Sequence, residues 1–331
     1  MFSGRSAITG PHFVCYRPEM VDPLSDIIAL LRPRTVFMKG ISGAGRWAVR
    51  YTDFGHPSFC TVLEGGCRLA VEGEAAITLA AGDFVLMPAT PGFVMSGFEA
   101  ATPRLIDPKV SPAPSDEVRH GDQDGAPDVR LLGGYFVFDS PDAALLISLL
   151  PSLMHVRGAG RLATVVGLVA EEAVEARSGR DLVLTRLVEV LLVEALRASP
   201  GDDAPPGLLR GLADARVAAA MRQMHGDAAR PWTMLELARE ASLSRSAFFD
   251  RFVRAVGMPP MEYLLAWRMA VAKDLLRRRE VGLNEVAQRV GYGSASTFST
   301  AFSRHVGQPP GRYARGVGLG EQERSSGQAR G

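Results

Sequence analysis

LSRSAFFDRFVRAVGMPPMEY, residues 243–263, and GSASTFSTAFSRHVGQPPGRY, residues 293–313, are one pattern written twice. At an offset of 50, Phe248 falls on Phe298, Phe252 on Phe302, Val256 on Val306, Gly257 on Gly307, Pro259 and Pro260 on Pro309 and Pro310, and Tyr263 on Tyr313. Phenylalanines four apart share one face of a helix, so each copy predicts a helix that packs through that face. The glycine ends it and the Pro-Pro pair prevents its continuation. Upstream, LELAREASLS and NEVAQRVGYGS align at an offset of 49, with Leu237 on Val286 and Ala238 on Ala287, so the second copy carries one extra residue. Insertions belong in turns, and each copy reads as helix, short turn, helix, with the small alanine letting the two helices cross closely.

Between the copies, PPMEYLLAWRMAVAKDLLRRRE predicts a long helix. Its apolar Leu264, Leu265, Trp267, Ala270, Val271 and Leu275 alternate with the basic Arg268, Lys273, Arg277, Arg278 and Arg279. About 16 helical residues rising ~1.5 Å each span ~24 Å. With the widths of the flanking helices added, that is comparable with the roughly 34 Å between successive major grooves. Two helix-turn-helix units on one bar make a bipartite DNA reader; a helical domain that binds protein is the alternative.

Charge favours the first reading. Residues 1–207 carry 18 basic against 25 acidic side chains and residues 208–317 carry 17 against 9, so the net charge of +1 is a cancellation between a front part near −7 and a back part near +8. The repeat coincides with the positive part, as a polyanion-binding module requires. The chain has 331 residues, 47% of them hydrophobic and 22% charged, enough for two globular domains. Cys15, Cys60 and Cys67 form neither a disulfide framework nor a repeated CxxC, which favours reduced thiols over a redox sensor. The most apolar run, AALLISLLPSLMHV, is broken by Pro151 and too short for a membrane span. No signal peptide opens the chain, and a cytoplasmic, nucleoid-associated protein is expected.

Residues 34–105 read as short glycine-divided strands, TVFMKG, RWAVRYTDFG, SFCTVLEGG, CRLAVEG, EAAITLAAG, DFVLMPATPG and FVMSGF, the pattern of a sandwich or barrel. SPAPSDEVRHGDQDGAPD, residues 111–128, reads as a loop, and LLGGYFVFD as a returning strand. Asp142 to Leu150, RLATVVGLVAEEAVEARSG and RDLVLTRLVEVLLVEALRASP turn helical, with a Ser-Gly break at 178 and 179. Leu182, Leu187, Val190, Leu191 and Val193 serve either intramolecular packing or a dimer interface. SPGDDAPPG, residues 199–207, is the linker.

Residues 210–315 resemble the DNA-binding domain of AraC/XylS-family transcription regulators. The matching residues are WTMLELAREASLSRSAFFDRF, GMPPMEYLLAWRMAVAKDLL and LNEVAQRVGYGSASTFSTAFSRHVGQPPGRYAR. The front part, from MVDPLSDIIALLRPRT through DFVLMPATPG to the helical pair, resembles the cupin-type N-terminal domain of one group of that family. Relatives of that group begin near the MVDPLSD equivalent, which makes Met20 a candidate start and residues 1–20 an N-terminal extension. The expected fold is α+β: a cupin-like β-barrel with a helical pair over 21–200 for sensing or dimerisation, a linker at 201–209, an all-α double helix-turn-helix domain at 210–315, and a disordered tail at 316–331.

The resemblance puts base-reading positions on the exposed face of each second helix: Arg245, Ser246, Phe249 and Asp250 in the first copy, Ala295, Ser296, Ser299 and Thr300 in the second. Arg245 is the one basic side chain among them and suits a bidentate contact to guanine. Phe249 meets a thymine methyl or is an extra core residue; Asp250 accepts from cytosine N4, orients a neighbouring arginine, or is a solvated charge. The second copy offers only short hydroxyl and methyl groups. Arg251, Arg254, Arg268, Lys273, Arg304 and the helix N-termini are the expected phosphate contacts.

A catalytic cupin would present clustered histidines and a glutamate for a metal. GHPSFCTVLEGG holds only His56, Cys60 and Glu64 without a His-x-His core, and Phe93 stands near where the later histidine would fall. His56, Cys60 and His120 are the weak metal candidates; the expectation is no metal and no cofactor. The sequence therefore reads as a one-component transcription regulator that binds double-stranded promoter DNA, with a small-molecule effector, RNA polymerase and a second copy of the chain as candidate partners and no membrane. The alternative is a metal-dependent cupin enzyme carrying a DNA-binding module.

Overall fold

A computed structural model describes residues 21–53, 55–107, 118–138, 140, 143, 147, 149–158, 160–174, 177–198 and 205–315. The proposed N-terminal extension, the centre of the linker and the proposed tail lie outside the described residues, as does most of the helical stretch expected from Asp142. A first helix, α1 (Pro23–Leu31), is capped by the Asp22 carboxylate, which accepts from Leu24 N, and has proline in its first turn. Ten strands follow: β1 (Pro33–Ala44), β2 (Ala48–Tyr51), β3 (Ser58–Val71), β4 (Ile77–Ala80), β5 (Phe84–Met87), β6 (Phe93–Ser96), β7 (Arg104–Ile106), β8 (Val118–Gly121), β9 (Val129–Phe138) and β10 (Met154–Val156). They form one curled, mostly antiparallel sheet whose main path runs β7-β2-β6-β3-β9-β1-β8, a half-barrel of cupin type.

Two strand readings are corrected. SFCTVLEGG and CRLAVEG are a single strand, β3, which does not turn at its glycines but bends there. Its first part, Ser58 to Gly65, pairs with β5 and β9, and its second part, Gly66 to Val71, pairs with β4 and β6. Gly65 has φ +71°, and a Cβ there would collide with the Asp128 carbonyl oxygen. The glycine is thus the corner at which one strand serves both halves of the sheet. The 111–128 loop likewise contains β8, which pairs in parallel with Ile41–Ala44 of β1. Its composition says loop, and a partner distant in sequence overrides it.

Successive residues point to opposite faces of the sheet. Phe59, Phe84, Leu86 and Phe136 pack on the helices, whereas Cys60, Val85 and Met87 join Trp47, Val49, Tyr51 and Phe93 inside the barrel. The helical layer is α2 (Gly160–Val174) and α3 (Arg180–Ala198). Within α3, Leu191 is core and Leu187 and Val193 lie against it, while Leu182 and Val190 are exposed. Intramolecular packing therefore accounts for Leu187, Leu191 and Val193 and not for Leu182 and Val190. Among the described residues no helix is long and apolar enough to cross a membrane.

The back half is all α: α4 (Leu208–Ala213), α5 (Ala215–Gly226), α6 (Met234–Glu240), α7 (Arg245–Val256), α8 (Pro260–Arg278), α9 (Leu283–Arg289) and α10 (Ala295–Val306). The hydrophobic core under α6 and α7 is continuous with the helical layer of the barrel domain, running from Leu24 and Phe136 through Leu191 to Phe252 and Trp267. The core under α9 and α10 is separate, built from Met269, Leu276, Val286, Phe298, Phe302 and Tyr313.

Candidate nucleic-acid interface

The repeat is repeated in three dimensions. Helix α6 follows a four-residue turn to α7, and α9 a five-residue turn to α10, which places the extra residue of the second copy in its turn. Ser244 caps α7 by accepting from Ala247 N at 3.3 Å, and Ser294 caps α10 by accepting from Thr297 N at 3.2 Å. Gly257 and Gly307 end the two helices at φ +85° and +82°, a left-handed conformation open to glycine. Phe248 and Phe252 are fully buried, as are Phe298 and Phe302, and a tyrosine closes each core edge-on: Tyr263 lies 5.7 Å from Phe252 and Tyr313 lies 5.5 Å from Phe302. Helix α6 carries a capping box, and hydrogen bonds from Thr233 and then Arg230 hold the Glu236 carboxyl down at about 2. Helix α9 starts on Gly282 without such a side-chain cap.

Burying those phenylalanines turns the opposite faces of α7 and α10 outward. Arg245, Ser246, Phe249 and Asp250 are exposed on α7. Phe249 is 42% exposed beside a fully buried Phe248, so it is not an extra core residue. Asp250 enters no ion pair among the described residues. On α10, Ser296 and Thr300 are exposed, and Ala295 and Ser299 are half-buried. The Thr300 hydroxyl donates to the Ser296 carbonyl at 3.1 Å, leaving its methyl and lone pairs outward. Ser296 Oγ lies 3.0 Å from the capping Ser294 Oγ.

The five proposed phosphate ligands differ in what they already hold. Arg254 and Arg304 occupy equivalent positions of α7 and α10 and are exposed. Arg251 is paired at 2.6 Å with Asp214, which also caps α5 by accepting from Arg216 N and Val217 N. Burial opposes ionisation of Asp214, but its hydrogen bonds, led by the one from Arg251, hold its carboxyl below the usual carboxylate range. Lys273 is half-buried on α8. Arg268 serves the fold: it donates to the carbonyls of Ala228 at 2.8 Å and Arg230 at 2.7 Å, joining α8 to the segment before α6. Its expectation as a phosphate contact is revised on that geometry. Sequence reasoning also missed Arg210, which lines an open cleft of about 400 Å³ with Asp214, Arg251 and Arg254. It stands on α4, outside the repeat, where no pattern pointed to it.

Helix α1 ties the first unit to the barrel domain. Leu24, Ile27, Ile28 and Leu31 are buried in the shared core. Asp26 meets His225 of α5 at 3.1 Å, and Arg32, just past α1, pairs with Asp274 of α8 at 2.7 Å. His225 also lies 2.8 Å from the Tyr263 hydroxyl and stacks on Trp267 with ring centroids 3.9 Å apart. The sequence carried no sign of the pairing of Asp26 with His225, 199 residues apart, or of Arg32 with Asp274, still farther apart.

The three weak metal candidates are not brought together. His56 is exposed and stacked on Tyr135, Cys60 is buried in the barrel core, and His120 stacks on Trp47 at 5.8 Å. Burial, and secondarily the neighbouring Cys67, pushes the Cys60 thiol far up, away from a metal-binding thiolate. Among the described residues no three His, Cys, Asp or Glu side chains are grouped to hold a metal ion.

A cupin family model matches residues 22–199 and a helix-turn-helix domain model matches residues 237–316. A putative AraC-like transcription regulator of Streptomyces lividans is 34% identical over 308 residues, covering 89% of this chain and 98% of that protein. Another from Streptomyces antibioticus is 35% identical over 302 residues, covering 89% and 99%. Among solved structures, the C-terminal domain of the two-component response regulator yesN from Fusobacterium nucleatum is 27% identical, covering 29% of this chain and 93% of that one at a TM-score of 0.28.

Proposed function

The chain belongs to the AraC-like family of transcription regulators, and from that premise we propose how its two helix-turn-helix units divide the reading of promoter DNA. It is a DNA-binding regulator rather than an enzyme. Helix α7 makes the strong base contacts, with Arg245 bidentate to guanine, Phe249 against a thymine methyl and Asp250 accepting from cytosine N4, and Ser246 adding a contact beside them. Helix α10 approaches more closely and reads less, through the small Ala295, Ser296, Ser299 and Thr300. Arg254 and Arg304 fix register on the phosphates, joined by Lys273 and by Arg251 of the arginine cleft.

The observation that supports this most is the equivalence of α7 and α10: both serine-capped, both glycine-terminated, both buried through paired phenylalanines, with Arg254 and Arg304 at the same position. Footprinting on the DNA upstream of its own gene with Arg245→Ala and Thr300→Ala tests the division. Arg245→Ala is expected to weaken the specific site strongly and Thr300→Ala only slightly. Equal, sequence-independent behaviour of both variants removes the assignment.

The barrel domain is the sensing and dimerisation part in this reading. Leu168, Leu182 and Val190 are exposed apolar side chains on α2 and α3, and they are the proposed contact with a second copy. Effector binding reaches the DNA through α1, which touches α5 and α8, and RNA polymerase is the partner that completes regulation. Sedimentation of the full chain with Leu182→Glu tests the dimer: the wild type is expected to sediment as a dimer and the variant as a monomer.

A further inference from the structure

The barrel-facing side of the sheet carries a group of basic side chains beside its apolar core. Lys39, Ile41 and Gly43 lie on the same face of β1, and Ile41 belongs to the barrel core. The Lys39 ammonium sits 5.9 Å from the centroid of the Tyr51 ring, itself in that core. Arg104 of β7 is the register partner of Val49, a third core residue, and so stands on the same side. His120 of β8 is the partner of Gly43, and Trp47, on which it stacks, fills the space a Gly43 side chain would need. His120 is 8% exposed, and its Nε2 is buried with no hydrogen-bond partner among the described residues. Strands β7 and β8 are the two ends of the sheet path, so Arg104 and His120 flank the seam where the half-barrel stays open.

These three basic side chains share the barrel-facing side of the sheet, and burial first, then the charges of Lys39 and Arg104, hold the His120 imidazole below its ordinary range. No described carboxylate answers them. Asp128, close in sequence, turns to the Gly45 turn and accepts from Gly45 N at 2.6 Å. Elsewhere the chain pairs such groups: His155 with Asp83 at 2.9 Å, His225 with Asp26 at 3.1 Å, Arg32 with Asp274 at 2.7 Å. A half-buried ammonium such as Lys39, with no described carboxylate beside it, is costly in an apolar setting, and an anion supplied from outside removes that cost.

We propose that Lys39, Arg104 and His120 form the binding site of a small organic carboxylate whose apolar body lies against Trp47 and Tyr51. Two cations and one neutral imidazole N–H suit the two oxygens of a single carboxylate, and the aromatic rings suit what is attached to it. The proposal rests on the reading of the barrel domain as a sensor. Thermal melting and calorimetric titration of the full chain with indole-3-acetate and octanoate, each beside its amide, test it. At least one acid is expected to raise Tm saturably while its amide does not, and Lys39→Gln and Arg104→Gln are each expected to weaken that acid about tenfold or more. Arg104 is exposed, so Arg104→Gln is expected to melt like the wild type without ligand. The site is overturned if neither acid raises Tm, if an amide matches its acid, or if Arg104→Gln binds the acid as the wild type does. Promoter affinity in the same samples separates the two readings. Acid binding that leaves DNA affinity unchanged supports the site and removes sensing, whereas amides that match the acids and shift DNA affinity remove the site and support sensing.

Discussion

Nδ1 of His225 in the DNA-binding half lies 3.1 Å from the carboxylate of Asp26 in the first helix of the chain. With Tyr263 at 2.8 Å on Nε2, both ring nitrogens are satisfied by a neutral imidazole that donates to Asp26 and accepts from the tyrosine hydroxyl. Burial holds His225 below its ordinary value, and the hydrogen bond and charge of Asp26 only partly oppose it. The unfolded chain therefore takes up a proton more readily than the native one, so stability rises with pH through this range. The contribution is full above the ordinary histidine pKa of 6.5 and is lost as pH falls below it. The Tm of the full chain is expected to drop between about pH 7.5 and about pH 5.5, and His225→Phe to flatten that slope. An unchanged slope in the variant assigns the pH dependence elsewhere.

The second helix-turn-helix unit has its own core, and Phe302 is fully buried in it. Phe302→Ala is expected to destabilise that unit by about 3–5 kcal/mol through lost burial and a cavity. Phe252→Ala removes the same contact from a core shared with the barrel domain. Hydrogen exchange is the measurement: amides of α9 and α10 alone should lose protection in the first variant, whereas loss in the second should reach α1 and α3.

In the proposed reading Arg254 and Arg304 meet phosphates and not bases. Each substitution by glutamine is expected to reduce the slope of log affinity against log salt by about 0.9 while leaving the preferred sequence unchanged. Titration at several salt concentrations reads both quantities.

Arg245→Ala is expected to cost about 1–3 kcal/mol at the specific site and to relax preference at one base pair. Thr300→Ala removes a methyl and a hydroxyl that already donates within its own helix, so a smaller effect is expected. Competition binding against single-base variants of the site compares the two.

Much of this arrangement was legible in the sequence because it is local. Phenylalanines four apart, a terminal glycine and Pro-Pro fix helix faces and ends within a short window, and the offset of 50 makes one copy check the other. Position 249 needed the structure, since the spacing puts Phe248 and Phe252 on the core face but does not say whether Phe249 is drawn in beside them. Strand β8 and the corner at Gly65 were not legible, because pairing with strands far along the chain decides them. The same holds for Asp26 with His225, for Arg268, which looks like a phosphate ligand until its two carbonyl partners are seen, and for the placing of Lys39, Arg104 and His120 on one side of the sheet. Each depends on contacts that no window of sequence contains.

Selection of binding sequences from random DNA by the full chain, with the selected sites footprinted, tests the division of labour between α7 and α10 most directly. The account predicts two protected blocks on one face of the duplex with centres about one helical turn, roughly 10 base pairs, apart. The block read by α7 should be nearly invariant at the guanine facing Arg245, and the block under α10 more degenerate. A single block, or two blocks with the stricter preference under α10, would contradict it.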